Sequence, residues 1–177
     1  MSIFCDIMSP EYINMSRQFY VNHDHCGNPE HYENYIRQDC FTDYKQGMGV
    51  THVFVDDEKG RIIGYITLRA TSLIMDIGEN YRLGYPALEI AELAVEKDYE
   101  RQGIGAEMVM YAINEAQELN EKNVGIQYVV LCADPEAVGF YSSSKLGFKK
   151  IRIMQELPRE HRNSNCEPMM LKIVENT

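Results

Sequence analysis

The chain has 177 residues, 45% apolar and 25% charged, which fits one globular domain with a buried core spanning 1–177. A formal net charge of −10 disfavours a polyanion-binding surface, since phosphate neutralisation supplies most nucleic-acid affinity, and favours cationic ligands instead. No apolar run reaches the roughly 18 residues of a membrane span, and Met1–Pro10 lacks a signal-peptide pattern, so a cytoplasmic protein without membrane association is expected.

Ser9-Pro10-Glu11 reads as an N-cap with proline at the first helical position, and Asn28-Pro29-Glu30 repeats the signal. The second start predicts a helix over Pro29–Gln46, with Gly47 as its stop. Val50–Val55 is rich in β-branched residues. The turn residues Asp56–Gly60 and the run Arg61–Thr71 complete a β-hairpin. A loop containing Gly78, Gly84 and Pro86 is expected next, then a strand over Leu88–Val95.

From Ile104 to Leu119 the apolar positions Val109, Ala112, Ile113 and Ala116 follow helical spacing. Tyr128–Ala133 reads as a short buried strand. A helix is expected from Asp134-Pro135-Glu136 to near Gly147, followed by a strand over Phe148–Met154, a polar loop over Arg159–Glu167 and a last strand over Met169–Val174. The order β-β-β-α-β-α-β predicts α/β layers around a sheet.

The five cysteines, Cys5, Cys26, Cys40, Cys132 and Cys166, are scattered and without metal-type spacing. No disulfide framework and no zinc site are expected. Each reads as a small buried hydrophobe, Cys132 within Tyr128–Ala133 above all. His23-x-His25 lacks an evident third metal ligand, and His23, His25 and His31 read as surface histidines. His52 falls on a strand and His161 in the polar loop.

The informative stretch is Leu93–Ala106, LAVEKDYERQGIGA, a strand followed by a polar loop and Gly-x-Gly at a helix start. Glycines let the backbone approach an anion, and the unpaired N–H groups of a helix start favour phosphate oxygens. Arg101 can add a charge-assisted contact. Met108 stands where a dinucleotide fingerprint needs its last glycine, and no Gly-Lys-Ser/Thr follows, so neither dinucleotide nor P-loop nucleotide is indicated.

LAVEKDYERQGIGAEMV resembles the acetyl-CoA loop of GNAT acetyltransferases, written Arg/Gln-x-x-Gly-x-Gly/Ala. DPEAVGFYSSSKLGF, Asp134–Phe148, resembles the second signature of that family, and the two lie in the family's order. The resemblance implies a GNAT fold: a mixed central sheet of six or seven strands, helices on both faces and a splayed central strand. It implies acetyl-CoA as cosubstrate, held by the backbone of Leu93, Ala94 and Val95, by Arg101, Gln102, Gly103, Ile104, Gly105 and Ala106, and near Asp134. The family's first motif position is Glu100 here, an acidic side chain that fits beside a pyrophosphate only if it points away.

For the chemistry, the resemblance implies Tyr141 as the general acid that protonates the departing thiolate. The general base stays open between Glu89, Glu92 and a water. Glu89 lies where histone-type members of the superfamily carry a catalytic glutamate. Glu92 lies three residues on, facing the other side of a regular strand unless a bulge intervenes.

HDHCGNPEHYENYIRQDC, with Asp24, Cys26, Gly27, Asn28 and later Pro86, resembles the GNAT toxins of bacterial toxin–antitoxin pairs. That resemblance implies aminoacyl-tRNA as acceptor and an antitoxin partner. The toxins carry an arginine where this chain has Glu92. With the charge of −10, this favours a cationic primary amine of a small molecule, peptide or protein over tRNA. A domain that binds acetyl-CoA without catalysis is a third reading, and a homodimer is left open.

Overall fold

The computed structural model describes residues 2–151, 155–156 and 165–173. It separates into two compact units: Met1–Arg69 with Ala91–Met108, and Ala70–Ile90 with Val109–Thr177. Strand neighbours follow the order β1-β2-β3-β4-β5-β8-β6, with β7 on β3. The sheet is mixed and alternates with helices, as the sequence predicts.

In the first unit β1 (Ile3–Ile7) lies antiparallel to β2 (Val50–Asp56), which pairs antiparallel with the start of β3 (Arg61–Gly78). A register shift between Phe54 and Val55 marks a bulge in β2. β1 was not expected, because IFCDI is too short and too mixed to show a strand period on its own. Its pairing with β2, not its composition, makes it a strand.

The helical layer of this unit begins with a 3₁₀ turn at Pro10–Tyr12 and α1 (Ile13–Ser16). α2 (Pro29–Asn34) starts as predicted, with the Asn28 side chain accepting the His31 N–H. A π turn over Tyr35–Asp39 separates it from α3 (Cys40–Gln46), so the helix expected over Pro29–Gln46 is not one regular α-helix. Arg37 of the π turn donates to the carbonyls of Phe19 at 2.7 Å and Ser16 at 3.4 Å. The core gathers Phe19, Ile36, Val53, Val55, Ile62 and Tyr65, all essentially buried.

In the second unit β3 continues to Gly78, and β4 (Tyr81–Val95) begins after a two-residue turn. The loop expected around Gly78, Gly84 and Pro86 is therefore strand. Gly84 lies opposite Ser72, and the Pro86 carbonyl accepts the Gln127 N–H at 2.9 Å, so neither residue breaks the extended backbone.

β5 (Tyr128–Ala133) runs parallel to β4, with Ala87–Ile90 facing Tyr128–Leu131. β4 runs on to Val95 beyond that register, as a splayed strand does. Of the strand expected over Phe148–Met154, Lys149–Lys150 form β6 while Phe148 and Ile151 do not, and β7 (Gln155–Glu156) pairs with β3. β8 (Glu167–Lys172) lies antiparallel to β5 and to β6. Val174, His161 and most of the expected polar loop lie outside the described residues. Leu73, Ala87, Tyr128 and Val130 form a small apolar cluster.

α4 (Ile104–Lys122) matches the predicted helix, and α5 (Val138–Tyr141) is one turn after a 3₁₀ turn at Pro135–Ala137, shorter than expected. No described helix is long and apolar enough to cross a membrane.

The expectation for the cysteines is also overturned. Cys132 is not a lone buried hydrophobe but is disulfide-bonded to Cys166, with a Cα–Cα separation of 5.4 Å across 34 residues. β5 and β8 pair in a register that opposes Cys132 to Pro168, and this brings the two thiols together. No cysteine spacing in the sequence encodes that register.

Candidate active site

The polar loop after β4 is tied down residue by residue. Glu96, fully buried, accepts a hydrogen bond from the Asp98 N–H at 2.9 Å and one from the Arg61 guanidinium at 3.0 Å. Burial pushes its carboxyl up, and the Asp98 N–H and Arg61 oppose that rise. The Glu96 N–H reaches the Ile63 carbonyl and the Lys97 N–H reaches that of Tyr20, both at 2.9 Å. Tyr99 is buried on the turn Lys97–Tyr99 and donates to Asp56 Oδ2 at 2.9 Å.

From this anchor the backbone takes two left-handed steps, at Arg101 (φ 60°) and Gly103 (φ 88°), before α4. A Cβ built on Gly103 meets nothing within 4 Å, so glycine serves the backbone conformation and leaves the surface above it open. The first bond of α4 runs from the Glu107 N–H to the Gly103 carbonyl at 3.1 Å. The N–H groups of Ile104, Gly105 and Ala106 thus belong to the turn that has no helical acceptor. A loop of this kind before a 19-residue helix suits a pyrophosphate.

Glu100, out of place in the phosphate motif, is turned to another partner. Its Oε2 accepts from Asn22 Nδ2 at 3.2 Å and lies 3.9 Å from His25 Nδ1. The Gln102 side chain donates to the Asp98 carbonyl at 2.9 Å, while Arg101 is exposed.

On β4, Leu93, Ala94 and Val95 precede this loop in the same unit. Gly64 of β3 faces that stretch. A Cβ there would meet the Ala94 carbonyl at 3.2 Å and Met108 Sδ at 2.9 Å, so the strands approach too closely for a side chain. Glu92 is partly buried, and both its oxygens lie 3.0 Å from Nε2 of His31, on the first turn of α2. The sequence presents His31 as a surface histidine, and it is exposed. Nothing in the sequence could link it to a strand residue 61 positions later.

The second unit carries Glu89, Asp134 and Tyr141. Glu89 is partly buried on β4 opposite Val130 in β5. Asp134 precedes the Pro135–Ala137 turn, and its carbonyl accepts the Ala137 N–H at 2.8 Å. Tyr141 is buried at the end of α5, between the rings of Phe140 at 4.9 Å and Phe148 at 5.8 Å, and its carbonyl accepts the Phe148 N–H at 3.1 Å.

A family model described as "Acetyltransferase (GNAT) family" matches residues 11–148. No curated protein sequence matches the chain. Among solved structures of similar fold is a mutant of KacT, 17% identical with a TM-score of 0.73 over 98% of this chain and 96% of that one. A mutant of the AtaT toxin, bound to the C-terminus of the antitoxin AtaR and to acetyl-CoA, is 16% identical with a TM-score of 0.69 over 98% and 94%. AtaT complexed with acetyl-methionyl-tRNAfMet is 18% identical with a TM-score of 0.69 over 94% of each chain.

Proposed function

The chain belongs to the GNAT family of acetyltransferases, and from that premise we propose that it transfers the acetyl group of acetyl-CoA to a primary amine by direct attack. We take the two units as parts of one such domain, since the family match runs through both. The observation that carries the reading is the anchored loop with left-handed Arg101 and Gly103, opening onto the first-turn N–H groups of α4. These groups, with Arg101 and Gln102, hold the pyrophosphate, and the backbone of Leu93, Ala94 and Val95 holds the pantetheine and polarises the thioester carbonyl. Asp134 flanks the cofactor at the end of β5.

In the reaction the acceptor ammonium first gives a proton to a β4 carboxylate, Glu89 or Glu92. The free amine attacks the thioester carbon, and collapse of the adduct breaks the C–S bond. The Tyr141 hydroxyl protonates the leaving thiolate, and the second proton of the adduct nitrogen restores the phenol.

The acceptor we propose is a cationic primary amine of a small molecule, peptide or protein. The net charge of −10 and the glutamates at positions 92 and 100 support it, because an acidic field concentrates cations and repels phosphate. A second reading, acetylation of aminoacyl-tRNA under antitoxin control, draws support from the nearly full-length likeness to AtaT. An acceptor panel of spermidine, peptides, protein lysines and charged tRNA, assayed with acetyl-CoA, tests both. Turnover of spermidine or peptide amines is expected. Efficient acetylation of aminoacyl-tRNA alone at physiological salt would reverse the choice, and no turnover at all would leave a domain that only binds acetyl-CoA.

A further inference from the structure

His31 and Glu92 form a pair that the sequence alone does not reveal. The imidazole is 43% exposed and the carboxylate 18% exposed, so the pair is open to an incoming molecule on the imidazole side. Glu92 immediately precedes the Leu93–Val95 backbone assigned to the acetyl group. Aromatic rings fix the imidazole: Tyr32 meets it edge-on at 5.2 Å and Tyr35 lies tilted at 6.3 Å. Tyr35 stacks on Tyr65 at 6.0 Å, and the Tyr65 hydroxyl donates to the Tyr32 carbonyl at 2.9 Å, which locks that aromatic wall in place.

Phenols from α2, the π turn and β3 lie beside the pair. Burial pushes Tyr35 and Tyr65 up, and Glu92 adds to the rise at Tyr65. Asp43 of α3 is engaged by the Tyr35 hydroxyl at 2.9 Å. Histidine is the side chain whose ordinary titration lies near neutrality.

We propose that His31 is a positioning residue that gates the acceptor through Glu92, which makes Glu92 the carboxylate that receives the amine's proton. This rests on the acetyl-transfer reading above. With neutral His31, the Nε2–H holds the carboxylate in place and leaves its negative charge available to an ammonium. The ammonium N–H bond then breaks, an O–H bond forms on Glu92, and the lone pair released attacks the thioester. With protonated His31 the pair is a closed imidazolium–carboxylate couple, which competes with the ammonium for the same oxygens.

The test measures kcat and KM for acetyl-CoA and spermidine from pH 5 to 9, with imidazole titration followed by NMR. In the wild type, kcat/KM for spermidine rises as the imidazole loses its proton. His31→Gln keeps an N–H donor but cannot titrate. It loses the pH step while retaining kcat within about threefold at pH 8.5, whereas His31→Leu and Glu92→Gln lose on the order of 10²-fold. A carboxylate favours the charged imidazole, so the His31 midpoint falls in Glu92→Gln. An unmoved midpoint, a pH step that survives in His31→Gln, or a step abolished by Glu89→Gln and not by Glu92→Gln overturns the proposal. Acetyl transfer to spermidine and charged tRNA both absent, with the midpoint shift present, overturns the acetyl-transfer reading and the role of His31 with it.

Discussion

Asn22 donates from Nδ2 to Glu100 Oε2 at 3.2 Å across 78 residues, and so engages the acidic side chain that begins the loop proposed to hold phosphate. Asn22→Ala frees that carboxylate. The cost beside a pyrophosphate is about 1 kcal/mol in a water-like dielectric, so acetyl-CoA affinity falls about fivefold. Glu100→Gln removes the charge and leaves affinity equal or higher. Calorimetric titration of both variants checks the pair, and a loss of affinity in Glu100→Gln would show that the carboxylate itself supports the cofactor.

Gly103→Val should uncouple folding from cofactor binding. A side chain at φ 88° costs about 1–2 kcal/mol of stability, and the new methyl groups would stand where the proposed site admits phosphate oxygens. Acetyl-CoA affinity should drop at least about tenfold while the thermal transition stays cooperative. Unchanged affinity would place the pyrophosphate elsewhere.

Tyr141→Phe keeps the ring between Phe140 and Phe148 and removes only the hydroxyl. Stability should change by no more than about 1 kcal/mol. Loss of a general acid lowers kcat by about 10²–10⁴-fold with acetyl-CoA binding retained. Single-turnover acetylation reads this directly, and a wild-type rate would remove Tyr141 from the mechanism.

Arg61→Met strands the buried Glu96 carboxylate. Breaking a buried pair costs about 3 kcal/mol, the lower end of the usual range because Arg61 is 31% exposed. The sign with pH follows from the direction of the shift. Burial raises Glu96, so the folded chain holds that proton more readily than the unfolded one. Its contribution to stability is largest at acid pH and declines as pH rises through the folded value. Without Arg61 the carboxyl rises further. Urea denaturation should therefore show a larger deficit at pH 7 than near pH 4.5, and a pH-independent deficit would mean the loss is one of packing alone.

The elements with a strong period or cap were legible in the sequence. β2 carries β-branched residues, α4 carries helical spacing, and α2 starts at Asn28-Pro29 because side-chain oxygen and proline act locally. The strand–loop–helix over Leu93–Ala106 and the signature around Tyr141 were readable for the same reason, since each is written within a few consecutive residues. Other features were decided only by tertiary pairing. β1 exists through its register with β2, the glycine-containing stretch before Leu88 is strand because β3 and β4 extend together, and Cys132 meets Cys166 because β5 faces β8. The partners of Glu92 and Glu100 lie 61 and 78 residues away. No local propensity encodes such distances, so the sequence supplied the carboxylates and only the folded chain chose what each one holds.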